Sequence, residues 1–134
     1  GFEPEAVTRV GERDVKRLLA DAGIVRHEGK IRSTINNAAR AVELIEANGS
    51  LAAFFWPHAT FSDAAPVEIP ALTETSTMLS KQLKKLGWSF VGPTTMYAFM
   101  QAMGLVNDHM DGCCVRDDAE RSRRAAARSV GVKP

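Results

Sequence analysis

The sequence holds no apolar run approaching the roughly 18 residues that a membrane span needs, and no secretory leader pattern opens it. No membrane partner is therefore expected. Cysteine is scarce: the only two, Cys113 and Cys114, are adjacent and could join only in a strained ring, which excludes a disulfide scaffold. Reduced thiols point to a cytoplasmic protein. Charge of one sign is lacking as well. Seventeen basic residues meet sixteen acidic ones for a net charge of +1, so any nucleic-acid face has to come from local clustering. The chain also opens at Gly1 without a methionine, which reads as a piece of a longer protein.

What is present is ordinary for a globular domain, with 45% hydrophobic and 25% charged residues over 134 positions. That length suits one domain burying about two thirds of its unfolded surface. Nearly every periodic segment is helical, so the expected class is all-α, with no convincing strand. Pro4 suits the first turn of a short helix. Residues 12–22 read as a second helix, with Val15, Leu18 and Leu19 on one side and Gly23 as its stop. Ile31, Ile35, Ala38, Val42 and Ile45 step by four, three, four and three, one apolar stripe of a long helix that Asn48-Gly49 ends.

Ser50 is a credible N-cap for a helix over 51–56, closed by Pro57. Residues 57–75 carry three prolines and no periodicity, an irregular connection long enough to suggest a functional loop. Thr75 or Ser76 then caps a helix to Leu86, with Leu79, Leu83 and Leu86 inward and Lys81, Lys84 and Lys85 outward. Residues 94–103 are apolar nearly all round and should form the central buried helix. The tail at 115–134 is charged, alanine-rich and short of apolar anchors, so a frayed helix or disorder is expected there.

Between the last two core helices lies GWSFVGPTT, residues 87–95. Gly92 can take a positive φ, and Pro93 presets the first turn of the next helix. Backbone amides near Gly92, Thr94 and Thr95 then face outward from a helix N-terminus, which suits an anion such as a DNA phosphate. The threonine hydroxyls add donors, and Lys81, Lys84 and Lys85 add charge. A plain helix-turn-helix corner with solvated lysines satisfies the same spacing. Farther on, His109 and Cys113 stand four apart, one helical turn, and zinc accepts imidazole and thiolate together. Two ligands do not make a site, so a buried thiol beside a satisfied histidine is the competing account.

Two segments carry more than spacing: DAGIVRHEGKI with INNAARA (21–41), and LSKQLKKLGWSFVGPTTMYAFMQAMGLVNDHMDGCC (79–114). In these the chain resembles the 3-methyladenine DNA glycosylase I family of the helix-hairpin-helix glycosylase superfamily. The resemblance implies an all-α glycosylase-like domain over 1–114, incomplete at its N-terminus, with the hairpin at 87–95 and the tail at 115–134 unmatched. It implies DNA contacts at Gly92, Pro93, Thr94 and Thr95, with Lys81, Lys84 and Lys85 nearby. A structural zinc would take His109 and Cys113, two of its four ligands, from this chain. The implied partners are double-stranded DNA with alkylated bases and the missing N-terminal part.

The family's lesion-binding residues lie upstream of Gly1, so no catalytic residue is expected here, and the chain alone should be inactive. Many superfamily members carry a catalytic aspartate in a Val-Asp-x-His context. The equivalent here is Val106-Asn107-Asp108-His109, with Asp108 one residue off and turned about 100° if the segment is helical. The implied activity is hydrolysis of the N-glycosidic bond of 3-methyladenine by base flipping, in base excision repair. The alternatives are a non-catalytic helix-hairpin-helix DNA-binding module and a structural helical interaction domain.

Overall fold

The computed structural model describes residues 2–134, which form seven α-helices and one short 3-10 turn, with no strand among them. Pro4 sits in the first turn of α1 (Pro4–Val7), where its missing N–H leaves nothing unpaired. α2 spans Glu12–Ala20 and ends at Asp21, two residues before the expected glycine stop. α3 runs Glu28–Asn48. Its N-cap is His27, whose Nδ1 accepts from the Lys30 amide at 3.1 Å, and Gly49 closes it at φ 82°. Ser50 caps α4 (Leu51–Phe55) by accepting from the Ala53 amide at 3.0 Å, and Trp56–His58 tightens into the 3-10 turn.

The apolar face of α3 is broader than a single stripe. Ile31, Ala38, Ala41 and Leu44 are buried, whereas Ile35, Val42 and Ile45 are only half-buried. The reason is that α3 packs against α1 and α2 as well as α4. α5 (Glu74–Lys85) starts earlier than the sequence suggests. Thr73 is its cap, and the Thr73 and Ser76 side chains each accept from the other's backbone amide, at 3.1 and 2.9 Å. Leu79 and Leu83 are wholly buried, but Leu86 is 42% exposed, because the chain turns away at Gly87 (φ 83°) before completing another turn.

α6 (Pro93–Ala102) packs against α5 and buries Met96, Tyr97 and Met100. It is not buried all round, since Met103 just beyond its end is exposed. Leu44, Phe55, Leu79, Leu83, Val91, Met96, Met100 and Leu105 make one continuous core. Each fully buried leucine or methionine there stabilises the fold by roughly 2 kcal/mol relative to exposure.

The tail departs most from expectation. Residues Arg116–Ser129 form a helix, α7, that is docked on the body rather than frayed. Its anchor is mainly polar, with Ala127 as its one buried apolar side chain. Arg123 is 6% exposed and lies in a cage of carbonyls and one carboxylate. Its Nη2 donates to the Thr60 carbonyl at 2.7 Å, its Nη1 to Glu120 at 2.5 Å, and its Nε to the Gly104 carbonyl. The guanidinium also lies 4.9 Å from the centre of the Phe61 ring, a cation–π contact. A count of apolar anchors misses such a helix, because the buried group is formally a surface residue.

Candidate nucleic-acid interface

The turn between α5 and α6 is held from behind. Its alternate carbonyls all bond inward, those of Gly87 to Asn36 Nδ2 (2.9 Å), Ser89 to Asn37 Nδ2 (2.9 Å) and Ser33 Oγ (3.1 Å), and Val91 to Ser80 Oγ (2.6 Å). The Ser89 amide also donates to Asn37 Oδ1 at 3.0 Å, so one asparagine grips both backbone groups of one residue. With these three carbonyls turned in, the first-turn amides of α6 are among the hairpin amides left without a partner. Gly92 is the N-cap and has no side chain to satisfy them; Pro93 has no N–H, and Thr94 and Thr95 occupy the next two positions. Two amides, two exposed hydroxyls and the positive end of a ten-residue helix therefore converge on one face.

Gly92 does not take the positive φ that the sequence suggests. It is extended (φ −63°, ψ 160°), as a residue before proline prefers, and a Cβ there would meet nothing within 4 Å. Its value is openness. The left-handed positions of the turn are Gly87 and, unexpectedly, Phe90 at φ 57°. Lys81, Lys84 and Lys85 are all exposed on α5, and no acidic partner lies within ion-pair distance of them among the described residues. Lys84 and Lys85 lie in the last turn before the hairpin, where cations also offset the helix dipole.

His109 and Cys113 do come together, with Cys113 Sγ 3.4 Å from His109 Nδ1. A thiolate and an imidazole on one tetrahedral zinc would stand about 3.5 Å apart, so the pair fits two corners of such a site. They meet across a turn, not along a helix. Cys113 N donates to the Met110 carbonyl at 3.2 Å, with Gly112 left-handed at φ 76°. No third histidine, cysteine or carboxylate completes the cluster among the described residues.

The segment before this pair is also non-helical, so the expected rotation of Asp108 about a helix does not apply. Asp108 Oδ2 instead accepts from Tyr97 Oη at 2.6 Å and Gln101 Nε2 at 2.7 Å. Burial, reinforced by that carboxylate, pushes the Tyr97 phenol up to about 12. Asn107 turns towards α7, donating to the Arg116 carbonyl (3.2 Å) and Glu120 Oε2 (3.1 Å). Burial alone would raise the Glu120 carboxyl, but hydrogen bonds from Asn107, Arg123 and Arg124 outweigh it and hold it below the usual carboxylate range. Neither Asn107 nor Asp108 is thus poised as an unengaged general base.

Sequence reasoning missed the residues that shape the hairpin: Ser33, Asn36, Asn37 and Ser80. The signal was present in the Asn-Asn pair of INNAARA, polar residues on a helix otherwise carrying an apolar stripe.

A helical hairpin with an outward amide face, set in an all-helical body, defines a helix-hairpin-helix protein. Residues 1–117 match the family model described as methyladenine glycosylase, and the chain belongs to that family. It is 49% identical over 120 residues to DNA-3-methyladenine glycosylase 1 of Escherichia coli (strain K12), and the match covers 84% of this chain and 63% of that protein. It is 33% identical, with the same coverage, to the DNA-3-methyladenine glycosylase of Haemophilus influenzae. A crystal structure of 3-methyladenine DNA glycosylase I superposes with a TM-score of 0.74 at 46% identity, covering 84% of this chain and 65% of that one. The Staphylococcus aureus 3-methyladenine DNA glycosylase I, from a structure on 3-methyladenine recognition, gives 0.79 at 31% identity, covering 86% and 64%. The chain therefore spans just under two thirds of the length of these relatives.

Proposed function

We propose that this chain supplies the DNA-gripping part of a 3-methyladenine DNA glycosylase, an enzyme of base excision repair acting on alkylated double-stranded DNA inside the cell. The observation that carries the reading is the amide face at Gly92–Thr95, fixed from behind by α3 and α5 within a member of the methyladenine glycosylase family. Thr94 and Thr95 present amides and hydroxyls to one phosphate, and Gly92 leaves room for its close approach. Lys81, Lys84 and Lys85 lend sequence-independent attraction, weakened by salt.

A strong general base is not demanded of this chain. 3-Methyladenine is cationic and departs as a neutral base, so extrusion into a selective pocket can provide much of the discrimination. We assign that pocket to the part of the relatives' length that this chain does not span. His109 and Cys113 would hold a structural zinc with two ligands from that part, and the ion would tie the two parts together. Arg116 orients the local turn by donating to the His109 carbonyl at 2.6 Å.

The test is a chimera in which this chain replaces the matched segment of the E. coli relative. Incubated with alkylated DNA, it should release 3-methyladenine. A folded chimera that binds duplex but releases no base would favour the non-catalytic DNA-binding module instead.

A further inference from the structure

Several of the aromatic side chains of this chain are packing groups. Tyr97 is buried, and Phe54, Trp56 and Phe99 pack on the core. Phe90 does not fit. It stands at the tip of the hairpin with 53% of its surface exposed, and its backbone is left-handed at φ 57°. A bulky residue rarely adopts that conformation, and it persists only where the surroundings impose it.

The surroundings here do so from both sides. Asn37 grips the N–H and C=O of Ser89, the residue before, while Ser80 holds the carbonyl of Val91, the residue after. The ring itself is also seated. It meets the His27 imidazole edge-on, with centroids 5.9 Å apart and planes at 79°. It lies so close to the first turn of α3 that a Cβ on Gly29 would sit 3.3 Å from Phe90 Cζ. One side of the ring is thus fixed by protein, and the rest faces outward. Ordering an apolar ring beforehand removes that entropy loss from a later binding step.

We propose that Phe90 is a DNA contact, laying its ring on the apolar sugar and base surface of the nucleotide beside the phosphate held at Gly92–Thr95. The inference rests on the DNA-gripping role of that amide face. The placement favours this occupant: Phe90 is two residues from Gly92, at most about 7 Å of chain, and successive nucleotides of a strand rise by about 3.4 Å. A ring anchored there reaches the nucleotides flanking the gripped phosphate. The contact reads no sequence, since every nucleotide offers an apolar face.

The experiment measures the affinity of the purified protein for a short fluorescent duplex across a salt series, together with thermal unfolding. Phe90→Ala and Phe90→Gly should each weaken binding about tenfold, the scale of one lost aromatic contact. The slope of log affinity against log salt should not change, because no phosphate contact is removed. Phe90→Tyr should bind as the parent does. Phe90→Gly should unfold no earlier than the parent, since glycine takes the left-handed conformation freely. A Phe90→Gly protein that binds as tightly as the parent, whether or not its stability falls, would overturn the inference and make the ring a packing group. So would an affinity loss with a flattened salt slope, which would mean that the phosphate grip had collapsed. If the parent protein binds no duplex even at low salt, the DNA-gripping role itself fails and the inference falls with it.

Discussion

Single residues here do work that their types do not advertise. Asn37 is a neutral side chain on a helix, yet its three hydrogen bonds with Ser89 and Ser33 help determine where the hairpin carbonyls point. Tyr97 is similar, donating to Asp108 from the buried side of α6. Its phenol has an ordinary value of 10.0 and is pushed up to about 12, so the folded state favours the protonated form. The stabilisation is complete below the ordinary value and is lost as pH rises from there through about 12. Thermal unfolding across that window should show the loss in the parent protein, and Tyr97→Phe should abolish that component. An identical alkaline profile in the variant would contradict it. If His109 and Cys113 are zinc ligands as proposed, Cys113→Ala in the chimera should lower zinc content and melting temperature together, because a lost ligand would loosen the parts such an ion joins. Full zinc occupancy in that variant, by elemental analysis, would remove Cys113 from the ligand set.

At the level of elements, α7 carries the clearest energetic prediction. Glu120 and Arg123 form a largely buried pair, with side chains 16% and 6% exposed, and Arg123 also satisfies the carbonyls of Thr60 and Gly104. Replacing Arg123 by alanine leaves the Thr60 and Gly104 carbonyls unpaired and removes one of the donors to Glu120, which keeps Arg124 and Asn107. The cost should be about 3 kcal/mol, mainly that of two unsatisfied buried carbonyls, read from chemical denaturation. The lowered Glu120 carboxyl sets a pH dependence of defined sign. Its stabilisation is present above the ordinary value of 4.5 and disappears as pH falls through the lower folded value. Glu120→Gln should flatten that part of the acid limb, and an unchanged limb would show that the pair contributes nothing.

The elements differ in how far the sequence revealed them. α3 and α4 were readable because apolar spacing and caps at Gly49 and Ser50 agree with one another. The start of α5 was not, because Thr73 and Ser76 share the cap reciprocally, whereas a single-residue rule points to Thr75 or Ser76. α7 was hidden because a buried guanidinium carries no hydrophobic signature. The candidate site divides in the same way. Gly92–Thr95 and the His109–Cys113 pair could be located from motif and spacing, whereas their geometry could not. The positive φ belongs to Phe90 rather than Gly92, and His109 and Cys113 meet across a turn.

For the molecule as a whole, no helix among the described residues is long and apolar enough to cross a membrane. Apolar surface is nonetheless left uncovered. One groove of about 310 Å³ is lined by Leu51, Phe55, Trp56, Trp88, Phe99 and Leu105, and Trp88 Nε1 lies buried without a partner. The chain spans under two thirds of its relatives' length, and with the base pocket assigned, as proposed, to the part it does not span, it should release no 3-methyladenine by itself. Incubating this chain alone with alkylated DNA checks that, and detectable base release would place the pocket among residues 1–134.

The central claim is that this body holds DNA through the open amide face of the hairpin, and Gly92→Val tests it most directly. A Cβ at Gly92 meets nothing within 4 Å, and the backbone there is extended, so the fold should tolerate the change. A branched side chain would nevertheless stand where a phosphate must approach. Duplex affinity measured against salt should fall by about tenfold or more, the loss of a charge-assisted contact, with the salt slope near parental because no cation is removed and with unfolding unchanged. A folded Gly92→Val protein with parental affinity would contradict the claim.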